Sequence, residues 1–215
     1  MMRSDRLFLA GPAGKIEVFV EPHAQATGIA LIAHPHPLYG GTAENKVVTT
    51  LARTFRELGC ATLRPNFRGV GGSEGAHDQG IGETEDLLAV LADARQRFGR
   101  TLPIYLAGFS FGAYVITRLA QRLKEEGDPA SRLVLVGTAA GFIEGLRNYE
   151  TAAVPTDTIV IHGGKDETVP LANVLAWAEP LDLPVIVIPG ADHFFHRRLH
   201  LIRDIVRRQW DHGRP

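Results

Sequence analysis

Residues Gly108-Phe109-Ser110-Phe111-Gly112 place one hydroxyl between two glycines, directly after the apolar run Ile104–Ala107 and directly before a helical pattern. A serine on so tight a strand-to-helix turn has its hydroxyl thrust out of the sheet, where it can act as a nucleophile. Glycine is expected on both sides because a Cβ at Gly108 or Gly112 would strike the neighbouring strand or helix as the turn tightens. The helix that starts here also aims its first amides at the reacting centre, where an oxyanion would form. Serine is equally a favoured helix cap, so the motif alone does not separate a nucleophile from a cap.

A serine hydroxyl is a poor nucleophile until a base takes its proton, and the base needs an anion to fix its tautomer and stabilise its cation. On a strand-turn-helix scaffold the acid and then the histidine should follow the serine, each on the loop after a later strand. Both are present in that order. After the run Thr158–Ile161 comes His162-Gly163-Gly164-Lys165-Asp166-Glu167-Thr168-Val169-Pro170, and after Val185–Ile188 comes Pro189-Gly190-Ala191-Asp192-His193-Phe194-Phe195-His196. Asp166 is thus the expected acid and His193 the expected base, with Glu167 as the competing acid and Asp192 as a loop-stabilising residue. His162 reads as a core or loop histidine. His196 and His200 read as surface or capping residues, and His23, His77 and His212 lie in polar stretches without a partner pattern.

A second oxyanion donor is expected from the loop after the third strand, Ala33-His34-Pro35-His36-Pro37-Leu38-Tyr39-Gly40-Gly41-Thr42. The first donor is the residue after the nucleophile, Phe111. Proline has no N–H, so Pro35 and Pro37 are excluded and the choice falls on His36, Leu38 or Tyr39. His36 is preferred, because flanking prolines would hold its amide in a fixed orientation. A rival reading takes His34 and His36 as a metal-binding pair; the complete serine constellation favours instead a loop-positioning role for His34 and no metal.

Three loops can converge in this way only if strands carry them to one edge of a sheet. Runs at Leu7–Ala10, Ile16–Val20, Gly28–Ala33, Ala61–Arg64, Ile104–Ala107, Leu133–Val136, Thr158–Ile161 and Val185–Ile188 read as strands, separated in the later chain by helical periods. The first two form an antiparallel hairpin around Gly11-Pro12-Ala13-Gly14. The later ones are continuous apolar runs, as parallel strands buried on both faces require. Val48, Leu51, Phe55 and Leu58 share one helix face, and Leu87, Leu91, Ala94 and Phe98 share another. A last helix aligns Leu199, Ile202, Val206 and Trp210, with Arg198, Arg203, Arg207 and Arg208 off that stripe and in water. Ligands of such open sheets bind at the carboxyl ends of the strands.

The 215 residues balance 23 Lys+Arg against 24 Asp+Glu, so no basic excess recruits nucleic acid. No apolar run approaches the roughly 20 residues needed to span a bilayer. The stretch Leu7–Ala10 after Arg6 is too short for a signal-peptide core. A single cysteine, Cys60, cannot form an intrachain disulfide. A single domain over residues 1–215, located in the cytoplasm, is the expectation.

These residues resemble the α/β-hydrolase superfamily over essentially the whole chain. Four segments carry a narrower likeness to small lidless serine hydrolases related to dienelactone hydrolase. They are His34-Pro35-His36-Pro37-Leu38-Tyr39-Gly40-Gly41 with Asn45-Lys46-Val47-Val48, Asn66-Phe67-Arg68-Gly69-Val70-Gly71-Gly72-Ser73-Glu74-Gly75, Ala107-Gly108-Phe109-Ser110-Phe111-Gly112, and Asp192-His193-Phe194-Phe195. The resemblance implies an α/β-hydrolase fold with a mostly parallel eight-stranded sheet flanked by helices, Ser110, Asp166 and His193 as the triad, and an esterase-type activity without a cofactor. Dienelactone hydrolases use cysteine where Ser110 stands, so their substrate is not carried over. Pro35 also departs from the His-Gly-x-Pro pattern of the wider superfamily.

Thr138–Thr156, the segment in which many relatives insert a cap domain, is too short to hold one. The site is therefore expected to be open, with Tyr39, Phe109 and Phe194 as substrate-binding residues and Phe111, Phe142, Tyr149 and Phe195 as further apolar candidates. The glycine-rich stretch Gly69–Gly75 lacks the Lys-Ser/Thr ending of a phosphate loop and reads as a surface turn. The expected reaction is hydrolysis of a small acyl ester through an acyl-enzyme. The alternatives are a thioesterase or lactonase on the same three residues, a non-catalytic partner-binding relative, and a metal-dependent hydrolase.

Overall fold

The computed structural model describes residues 4–211; His212 lies outside them. Eight strands form one sheet: β1 (Asp5–Gly11), β2 (Gly14–Glu21), β3 (Gly28–Ala33), β4 (Cys60–Pro65), β5 (Ile104–Phe109), β6 (Arg132–Val136), β9 (Ile159–Gly163) and β10 (Val185–Ile188). Their spatial order is β1-β2-β4-β3-β5-β6-β9-β10. The β1–β2 and β2–β4 pairs are antiparallel and all later pairs parallel. Every expected strand is present; β3 and β10 keep their expected bounds and the others run one to three residues longer than the apolar run that announced them.

Alternation along each strand divides the core in two, because successive side chains point to opposite faces. Ile29, Leu31 and Ala33 of β3, with Leu133 and Leu135 of β6, pack beneath α2 (Ile81–Phe98), α3 (Phe111–Glu125) and α4 (Leu171–Ala178). Ala30 and Ile32, with Val134 and Val136, face α1 (Lys46–Glu57) and α5 (Leu199–Asp211). Val48, Leu51 and Phe55 of α1 and Ile202, Val206 and Trp210 of α5 are buried in that second cluster, as their spacing requires. No helix among the described residues is long and apolar enough to cross a membrane.

The chain steps outward from β3 to β4 and then returns to place β5 on the other side of β3, with Ala33 opposite Gly108. Loops leaving β3 and β5 therefore diverge at the carboxyl edge and open a crevice between them. Among the described residues no cap domain covers it. Between β6 and β9 there is only a small hairpin not anticipated from sequence, β7 (Gly141–Phe142) with β8 (Asn148–Tyr149), whose two-residue strands are too short to show a period.

The glycine-rich turn after β4 is spent on structure. The Gly72 amide and the Asn66 side chain both donate to Oε2 of buried Glu17 at 2.7 Å, and the Ser73 hydroxyl donates to the Asn66 carbonyl at 2.7 Å.

Candidate active site

Ser110 stands at the β5–α3 junction with φ 56° and ψ −119°, a left-handed conformation that a side chain rarely adopts. It is held there by its own amide, which donates to the Val136 carbonyl at 2.9 Å, and by its carbonyl, which accepts from the Tyr114 amide at 3.2 Å and the Ala139 amide at 3.3 Å. The flanking glycines are sterically required. A Cβ on Gly112 would lie 2.4 Å from the carbonyl oxygens of Ala33 and His34, and one on Gly108 would lie 2.6 Å from the Ala113 amide nitrogen.

The Ser110 hydroxyl lies 3.0 Å from Nε2 of His193, whose Nδ1 donates to Oδ2 of Asp166 at 2.7 Å. Oδ1 of Asp166 accepts from the amides of Thr168 and Val169 at 2.9 and 2.8 Å. With both oxygens engaged the carboxylate cannot rotate, and the imidazole must present its unprotonated nitrogen to the serine. The loops carrying the two residues interlock, since the Lys165 amide donates to the Ala191 carbonyl at 2.9 Å. Glu167, the competing acid, is exposed. Asp192 turns away to accept from the amide of His196 at 3.0 Å and meets its Nδ1 at 2.6 Å, the loop-stabilising part expected of it. His162 is buried beneath the acid and donates from Nε2 to the Val169 carbonyl at 3.0 Å, and His200 is exposed on α5.

The loop after β3 contains two histidines with different work. His34 is fully buried, donates from Nδ1 to the Pro35 carbonyl at 2.7 Å and accepts from the Phe67 amide at Nε2 at 2.9 Å. Both nitrogens are thus occupied, and burial pushes its imidazole down to about 4. His36 is pushed down to about 4 as well, first by burial and then by the neighbouring His77 and Arg147. Of the three candidate amides, that of Leu38 donates to His36 Nδ1 at 3.3 Å and that of Tyr39 to the His36 carbonyl at 3.1 Å. The His36 amide has no such partner among the described residues. The Phe111 amide opens α3, where no intrahelical acceptor exists.

A cleft of about 440 Å³ opens over these groups, lined by Pro35, His36, Tyr39, Ser110, Phe111 and His193 and walled by the β7–β8 hairpin. Tyr39 and Phe194 line it and are largely exposed, and Phe111 and Tyr149 line it from below. Phe109 departs from expectation. It is 0% exposed and packs its ring 4.9 Å from that of His193, so it backs the imidazole and offers no surface to the cleft. Phe142 and Phe195 are likewise absent from the lining.

His77, read from sequence as a residue without partners, is the main omission. Its ring packs 4.7 Å from that of His36 and 5.2 Å from that of Phe111, and its Nδ1 lies 2.9 Å from Oε1 of the fully buried Glu83. No local pattern marks it: Glu83 follows closely in the first turn of α2, but the ring partners His36 and Phe111 come from the loop after β3 and the start of α3. Residues Ile143–Leu146 of the hairpin wall were missed because the strands that carry them are too short to show a period. Among the described residues no group of three or more His, Cys, Asp or Glu side chains could hold a metal ion.

Comparison with known proteins identifies the fold family. The family model for the alpha/beta hydrolase fold matches residues 38–152. The chain belongs to the α/β-hydrolase fold family. A crystal structure from Xanthomonas campestris, described as a member of the a/b serine hydrolases without lid, is 37% identical, with 100% of this chain and 97% of that one covered and a TM-score of 0.86. An alpha-beta serine hydrolase homologue from Coxiella burnetii is 40% identical over 97% of this chain and 98% of its own, with a TM-score of 0.83. An uncharacterized protein of Rickettsia prowazekii is 33% identical over 201 residues, which cover 88% of this chain and 82% of that one.

Proposed function

We propose that this chain is a serine esterase acting through an acyl-enzyme formed on Ser110. The observation that carries this reading is the hydrogen-bonded series Ser110–His193–Asp166, whose hydroxyl end opens into the cleft. His193 takes the hydroxyl proton as Ser110 attacks the ester carbonyl, and Asp166 stabilises the imidazolium that results. The amides of Phe111 and His36 receive the developing oxyanion. His193 then protonates the departing alcohol and afterwards activates a water that releases the acid.

An uncharged acyl ester suits the lining. Among the described residues its only full negative charges, Glu144 and Glu167, are exposed, while Phe111, Ala139, Ile143 and Val169 give an apolar floor. The test is turnover of p-nitrophenyl acetate by Ser110→Ala, expected to fall by about a thousandfold or more. Undiminished turnover would overturn the reading.

A further inference from the structure

We propose that the apolar part of the cleft is a subsite for the acyl chain, and that a clasp between Arg147 and Gln79 sets how long a chain it accepts. This rests on the reading of Ser110 as the acylated nucleophile.

Phe111, Ala139, Ile143, Leu146, Tyr149 and Val169 contribute the apolar lining, and three of the six belong to the β7–β8 hairpin or its turn. They are joined to the nucleophile directly, since the Ala139 amide donates to the Ser110 carbonyl at 3.3 Å and the Phe111 and Tyr149 rings lie 6.5 Å apart.

A hairpin with two residues per strand has little stability of its own. Its position must come from what it is tied to. On one side the Asn173 side chain donates to the carbonyls of Ala140 and Phe142 at 3.0 and 2.7 Å. At the other end the guanidinium of Arg147 donates to the Gln79 side-chain oxygen at 2.9 Å and to the Gln79 carbonyl at 2.6 Å. The same group lies over the Tyr149 ring at 4.6 Å and the Tyr114 ring at 5.3 Å.

The anchor is itself fixed. Gln79 has φ 55° and leads into Gly80, whose amide donates to Oε2 of buried Glu83 at 2.7 Å. A planar guanidinium that makes two such bonds while stacked on a ring is oriented as well as attached. Two consequences follow for the cleft. The one cation on the hairpin is engaged with Gln79, so it adds no positive charge beside the apolar side chains of Ile143, Leu146 and Tyr149. Leu146, next to Arg147 in the chain, and Tyr149, on whose ring the guanidinium stacks, are held against the space that a longer acyl chain would need.

The experiment compares the full-length protein with Arg147→Ala and Gln79→Gly, glycine being chosen because it tolerates the positive φ. One series of substrates varies the acid (p-nitrophenyl acetate, butyrate and octanoate), and a second varies the alcohol (methyl, butyl and octyl acetate). Labelling of Ser110 by a small fluorophosphonate is followed in parallel. In Arg147→Ala the octanoate-to-butyrate ratio of kcat/KM should rise about fivefold or more, with alkyl-acetate ratios and labelling within about twofold of the native protein. Gln79→Gly should give a smaller rise, because the bond to its carbonyl survives. An unchanged acyl ratio with labelling intact in both variants overturns the clasp. So does a shift confined to the alcohol series, or an equal loss on every substrate. Absence of labelling in the native protein brings down the nucleophile assignment, and the acyl subsite with it.

Discussion

Ser110 and His193 are separated by 83 positions in the chain, yet the hydroxyl of one lies 3.0 Å from Nε2 of the other. The contact exists because β5 and β10 run parallel within one sheet and deliver their following loops to the same edge. Phe109 adds to it from behind, since its ring supports the imidazole that Ser110 faces.

The backbone of Ser110 is strained. A non-glycine residue in such a conformation costs on the order of 1–3 kcal/mol. Ser110→Gly should relieve that cost, less the roughly 0.5–1 kcal/mol by which glycine favours the unfolded chain. The expected result is a protein without turnover whose Tm is higher by about 2–4 °C. A lower Tm in thermal melts would show that Ser110 is not strained by its turn.

The assignment of the second oxyanion donor can be tested by deleting one N–H. His36 has φ −55° and ψ 122°, values that suit proline and a residue preceding proline. His36→Pro removes the amide without forcing the chain, and kcat for ester hydrolysis should fall about a hundredfold with KM little changed. His36→Ala keeps the amide and should keep most of the activity. Equal activity in the two variants would move the donor elsewhere.

Buried histidines make the fold sensitive to acid. His34 titrates near 4 in the folded protein and at about 6.5 when unfolded, so between these values the unfolded chain holds a proton that the folded one does not. Its contribution is complete above about pH 6.5 and is lost as pH falls toward 4, a change on the order of 3 kcal/mol. Burial shifts His36 and His162 in the same direction. Urea unfolding at pH 7 and pH 4.5 should therefore show a clear loss of stability at the lower pH, and the loss should be smaller in His34→Gln. Identical losses in the native protein and this variant would remove His34 from the explanation.

What sequence revealed, and what it concealed, follows from the range of the contacts involved. Ser110, Asp166 and His193 were legible because each follows a strand announced by its own apolar run. Phe109 was misplaced although a signal existed: alternation along β5 puts it on the same face as Ala107, in the cluster under α1 and α5. His77 had no such signal, since its ring partners His36 and Phe111 come from other parts of the chain and nothing in sequence set nearby Glu83 apart from the other acidic residues around it. The β7–β8 hairpin was invisible because two residues cannot display a period, and with it went the wall that Arg147 holds.

The acyl-enzyme itself offers the most direct test. Native protein would be mixed with p-nitrophenyl acetate, quenched in acid within milliseconds, digested, and analysed by mass spectrometry. A single acetyl group on Ser110, absent from Ser110→Ala and longer-lived in His193→Ala, is the expected result. Steady turnover with no acetyl on Ser110, or with Ser110→Ala as active as the native protein, would contradict it.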